Sequence, residues 1–189
     1  QSLLPTIKSR CCEIRLSNLT ESDLKSALKQ MNLTIPENDS KIYSLLGSGS
    51  VGNSIRLLEH DGAGLYRTLL SFLNQLPNLN GFELEKFIGT FSGNKNRSRL
   101  ELFIELLNMV IARLSKAGIM GSSSADQILE EEKEIFTKLC PNRIIAKKWA
   151  ELAQTQSENL KHGLAVNLDP SSLILDTFFR IEDCARIVR

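Results

Sequence analysis

The chain has 189 residues, 42% of them hydrophobic and 24% charged, enough for one or two domains with a real core. Its 23 basic and 22 acidic residues leave a formal net charge of +1, so composition offers no global field for gripping a nucleic-acid backbone. No apolar run approaches the roughly 20 residues a membrane helix needs, and Gln1 to Ile7 has neither the basic start nor the apolar stretch of a signal peptide.

The opening, Gln1-Ser2-Leu3-Leu4-Pro5-Thr6-Ile7, reads as the end of a strand and a turn, and without an initiator Met the chain reads as an excised fragment. Thr20-Glu21-Ser22-Asp23 resembles a capping box, in which a hydroxyl satisfies a free backbone N–H. Leu24, Ala27, Leu28 and Met31 follow at helical spacing. Pro36 can open a second helix through Ile42, Leu45 and Leu46, ending at Gly47. A third begins in Ser48-Gly49-Ser50, carries Val51, Ile55 and Leu58, and stops near Asp61-Gly62. These short helices predict a small domain, with its boundary in the Asp61–Gly64 region.

Beyond Ala63 the helices lengthen. Leu65, Leu69, Phe72, Leu73 and Leu76 make one apolar face, broken at Pro77, and Phe87, Ile88 and Phe91 mark a shorter one. Leu100, Phe103, Ile104, Leu107, Val110, Ile111 and Leu114 make the strongest stripe, ended by Gly118 and Gly121, with a loop at Ser122-Ser123-Ser124. Ile128, Leu129, Phe136 and Leu139 stripe the next helix, and Ile144, Ile145, Trp149, Leu152 and Leu160 another. Asp169-Pro170 reads as N-cap and first residue of a last helix carrying Leu173, Phe178 and Ile181. With no alternating strand of useful length after Leu4, the expected fold class is all-α, ending in a helical bundle.

Stand-alone catalysis has little to build on. The histidines are His60 and His162, and a Cys11–His60 pair lacks a visible third, orienting group. Gly47-Ser48-Gly49-Ser50-Val51-Gly52 has no Gly-Lys-Ser/Thr ending and no lysine between Lys41 and Lys86, so it reads as a flexible helix N-terminus rather than a phosphate loop. Glu130-Glu131-Glu132 points around a helix and reads as a solvated face, and no metal site is expected. Lys95, Arg97 and Arg99 read as a solubilising turn, Lys147-Lys148 as surface charge, and Trp149 as core. Cys11, Cys12, Cys140 and Cys184 form no C-x-x-C pair, and a reduced, cytoplasmic setting is expected. Ser9-Arg10-Cys11 places an arginine where it could reach across a subunit interface, its guanidinium stabilising charge on a neighbour's phosphate.

Leu3-Leu4-Pro5-Thr6-Ile7-Lys8-Ser9-Arg10-Cys11 resembles the end of the ATPase domain in the clamp-loader subunits of the AAA+ family. Gly49-Ser50-Val51-Gly52-Asn53-Ser54-Ile55-Arg56-Leu57-Leu58 resembles that family's second sensor helix. Asn167-Leu168-Asp169-Pro170, leading into Leu173-Ile174-Leu175-Asp176, is similar to the end of delta-prime collar domains. The resemblance implies the end of an ATPase domain plus a three-helix lid over residues 1–62, and an oligomerising collar over 63–189. It implies Arg10, with neighbours Ser9 and Cys11, as a trans arginine finger. Gly52 stands where ATP-hydrolysing subunits carry an arginine, and Arg56 lies one turn further on. Gly49, Ser50, Gly52 and Arg56 then form a degenerate sensor helix, which favours the delta-prime branch of bacterial DNA polymerase III over gamma/tau. The implied partners are gamma/tau and delta subunits through the collar, and the sliding clamp and primed DNA through the assembled complex. ATP and Mg²⁺ are implied in neighbouring subunits and no cofactor here, so the chain by itself is expected not to be an enzyme. The alternatives are a gamma/tau clamp-loader subunit or another AAA+ lid and collar fragment and, from another class, a helical protein–protein adaptor.

Overall fold

Helices make up all the regular structure in a computed structural model of the chain, which describes residues 6, 9–12, 17–91, 93, 96–120, 127–166 and 168–187. We label them α1 (Glu21–Gln30), α2 (Ser40–Leu46), α3 (Val51–Glu59), α4 (Gly62–Gln75), α5 (Gly81–Gly89), α6 (Arg97–Met120), α7 (Glu131–Leu139), α8 (Arg143–Ala165) and α9 (Pro170–Arg186). A 3₁₀ turn, Glu37–Asp39, leads into α2. No strand occurs among the described residues, so the all-α expectation holds at that level.

Helix starts follow local chemistry. Thr20 accepts from the Asp23 N–H at the head of α1, Ser50 from Asn53 N–H at α3, and Asn80 from Glu83 N–H at α5. Asp169 accepts from Ser172 N–H at 2.9 Å, with Pro170 in the first turn of α9. These bonds with Ser172, from its hydroxyl first and its N–H second, hold the Asp169 carboxyl below its ordinary range.

The two longest helices, α6 and α8, pack along each other, and α9 covers α8 and α5. Helix α4 links α1–α3 to α6 and α7. Buried apolar side chains form one cluster from Leu24 to Ala185. At its centre Phe72, Phe87, Phe91, Phe103 and Phe178 pack with ring centroids 5.2–6.4 Å apart. Trp149 is fully buried as expected, its indole N–H donating to the Leu139 carbonyl at 2.9 Å. The whole Leu100-to-Leu114 stripe is buried.

Four expectations need correction. On α3 the fully buried positions are Ser54 and Leu57, while Val51, Ile55 and Leu58 are only partly buried. The small Ser54 lets α3 approach α2, and its hydroxyl is satisfied by the Ser50 carbonyl at 2.9 Å. Helix α6 continues through Gly118, because a Cβ there would run into Cys140 Sγ and come within 2.9 Å of Ala146 Cβ; this glycine serves close packing rather than a stop. Ile144 is 74% exposed, since Asn142 caps the first turn of α8 and turns Ile145 inward instead. Glu132 is 1% exposed, not solvated: Tyr66, Arg113 and the Ile128 N–H all donate to its carboxylate. Glu130 and Glu131 do face solvent.

Candidate functional site

Of the Leu3-to-Cys11 segment, Leu3, Leu4, Pro5, Ile7 and Lys8 lie outside the described residues, as do Glu13, Lys95, Ser122 to Ser124 and Asn167. Thr6 is helical rather than extended, and its carbonyl accepts from the Ser9 hydroxyl at 3.2 Å. Among the described residues no partner strand exists to satisfy extended backbone here, so local bonding prevails. Ser9 and Arg10 form a turn, and Ser9, Arg10, Cys11 and Cys12 are exposed. Arg10 makes no hydrogen bond or ion pair with any described residue. The Asp23 carboxylate accepts from the Thr20 hydroxyl at 2.7 Å.

The glycine-rich turn before α3 receives Leu19 of the same chain. Ser48 and Gly49 both adopt left-handed conformations, with φ of 51° and 66°. The Leu19 N–H donates to the Gly49 carbonyl at 3.1 Å, and a Cβ on Gly49 would sit 2.6 Å from the Leu19 carbonyl oxygen. Leu19, just before α1, therefore lies on the turn that opens α3. The space beside Gly49 is thus taken up by Leu19 and Asn18.

Gly52 faces open space, where an added Cβ would meet nothing within 4 Å. One turn on, Arg56 is committed: both terminal nitrogens donate to the two carboxylate oxygens of Glu105 on α6, at 2.9 Å each. This fork closes over a cleft of about 120 Å³ whose floor is Leu46, Leu57, Leu102, Leu106 and Met109. A second ion pair, Arg67 with Asp39, ties α4 to the 3₁₀ turn. Its hydrogen bond to Asp39 raises the Arg67 pKa, and nearby Tyr43 is raised by burial and then by Asp39 and Asp61.

The other sequence candidates are not brought together with Arg10. Cys11 is exposed, His60 closes α3, and His162 is exposed on α8. Arg97 pairs with Glu101 at 3.1 Å, Lys147 with Glu151 at 3.8 Å, and Arg99 lies 5.7 Å from the Phe91 ring centre. No group of three or more metal-ligating side chains occurs among the described residues. No helix among them is long and apolar enough to cross a membrane.

Glu105 and Glu132 were invisible as site residues in the sequence. Glu105 only interrupts an apolar stripe, and its partner lies 49 positions earlier. Glu132 differs from Glu130 and Glu131 only by the helix phase that faces it inward.

No family model matches the chain, and no curated protein or solved structure matches it either.

Proposed function

We propose that the chain supplies the lid and collar of a clamp-loader subunit of the delta-prime type, and that Arg10 acts in trans on a neighbour's ATP. The observation that carries this reading is the state of Arg10: exposed, in a turn, and unpaired with any described residue. A permanent cation with a planar fork suits the γ-phosphate oxygens of a nucleotide held by another subunit. The bound state of Arg56 supports the same reading, since a guanidinium held by Glu105 is not free to sense a nucleotide in cis.

Three short helices, α1 to α3, then serve as lid up to residue 62, and the longer helices of 63–189 as collar. The chain is a cytoplasmic replication component that does not turn over ATP by itself. Its partners are gamma/tau and delta subunits, and through their ring the sliding clamp and primed DNA. Mixing the purified chain with gamma/tau and delta, followed by size exclusion with light scattering, tests this. Incorporation into a stoichiometric ring is expected; elution alone at every concentration would overturn the collar assignment.

A second reading, a helical adaptor for other proteins, draws on Phe82 and Phe179. They are 76% and 56% exposed on α5 and α9, two helices that pack together. That reading predicts that Phe82→Ser and Phe179→Ser weaken partner binding while Arg10→Ala leaves it unchanged.

A further inference from the structure

We infer that Arg56 and Glu105 form a releasable ionic latch, which holds the three-helix unit 21–59 closed against α6. The inference stands on this chain's own geometry, whatever complex it enters. The contact is a two-bond fork of 2.9 Å on each arm, joining helices that are distant in sequence. Its side chains remain 35% and 60% exposed, so water and salt reach the pair. Such a pair closes a surface without locking it.

Beside the fork lie apolar side chains from both sides, with the polar Asn53 among them. Leu46 and Leu57 come from the three-helix unit, and Leu102, Leu106 and Met109 from α6. The cleft is thus a seam that the ion pair bridges at its mouth. The covalent joint is elsewhere and short: α3 ends at Glu59 and α4 starts at Gly62. Between them Asp61 sits in the left-handed region, φ 53°, with its carboxylate accepting from the Gly64 N–H at 3.2 Å.

The joint end is packed tightly. A Cβ on Gly62 would run into the Leu57 side chain, and Arg67 with Asp39 braces the same end. Motion at that end is therefore restricted, and Arg56, in the last turn of α3, ties the same end of that helix to Glu105 on α6. Breaking the fork lets the last turn of α3 loosen from α6 over the seam that Leu57, Leu102 and Leu106 line. The device is a salt-sensitive clasp set beside a tightly packed joint.

Amide hydrogen exchange on the full chain reads this directly. In Arg56→Gln and in Glu105→Gln, exchange over 51–59 should rise roughly two- to five-fold, the range set by exposed ion pairs. Exchange over α8 and α9 should not change. The charge swap Arg56→Glu with Glu105→Arg should return exchange over 51–59 toward the original rate. High salt should raise the unmodified chain to the level of the single variants and leave those variants unmoved. Unchanged exchange in both single variants, or an equal rise throughout the chain, would overturn the latch.

Discussion

The hydroxyl of Tyr66 on α4 donates to Oε1 of Glu132 on α7, while Oε2 of the same carboxylate accepts from Arg113 on α6 at 2.7 Å and from the Ile128 N–H at 3.1 Å. Three helices and the approach to α7 thus meet on one buried anion. Burial first, and the Glu132 carboxylate second, push the Tyr66 pKa well above its ordinary value. Replacing Glu132 with Ala removes the buried acceptor shared by Tyr66, Arg113 and the Ile128 N–H, and should destabilise the fold by about 3–5 kcal/mol. Tyr66→Phe removes one donor and should cost about 1–2 kcal/mol. Urea unfolding followed by circular dichroism gives both values.

Cysteine chemistry should divide by location. Cys11 and Cys12 are exposed, whereas Cys140 and Cys184 are buried. Burial raises the Cys140 thiol above its ordinary value and, with a smaller contribution from Cys140 itself, pushes Cys184 up to about 11. A thiol reagent at mildly alkaline pH should therefore modify the first two quickly and the last two only on unfolding. The readout is the mass of each labelled peptide against time.

The same shift sets an alkaline limit on stability. Unfolded Cys184 ionises from about pH 9, but the folded thiol resists until about 11. The unfolded state thus loses its proton first, so stability from this group is complete below pH 9 and is lost progressively up to about pH 11. Tyr66 acts in the same direction at higher pH. Unfolding free energy measured across this window should fall, and Cys184→Ala should fall less steeply.

Two glycines in one motif should respond in opposite senses. Gly49→Ala places a Cβ against the Leu19 backbone at a left-handed position, and should destabilise by roughly 1–3 kcal/mol. Gly52→Ala meets open space on α3 and should stabilise by about 0.5–1 kcal/mol. Thermal melting of the two variants side by side checks the contrast.

Helix positions were legible where a stripe and a cap agreed, as for Thr20 with Leu24 and Leu28, or Asp169-Pro170 with Phe178 and Ile181. The inward residue on a short helix was harder. On α3 one residue's change of phase moves burial from Val51 and Ile55 to Ser54 and Leu57, and Ser54 carries no hydrophobic signal. Long-range pairs were not legible at all. Nothing local marks Glu105 as the partner of Arg56, or Glu132 as the one buried carboxylate in a run of three, because tertiary packing chooses between chemically equal neighbours. The role of the Gly47-to-Gly52 run in seating Leu19 depends on a chain crossing that spacing does not encode.

The most direct measurement concerns Arg10 in the intact subunit assembled with its partners. Arg10→Ala should leave assembly and melting nearly unchanged, since this exposed residue packs against little. DNA-stimulated ATP hydrolysis and clamp loading per assembled ring should fall, and Arg10→Lys should rescue poorly because one compact charge cannot form the planar fork. Arginine fingers contribute on the order of 10³–10⁵ in rate at the site they serve, and a ring with several sites should show a smaller bulk loss. Unchanged turnover and loading in a fully assembled Arg10→Ala ring would contradict the trans role of Arg10.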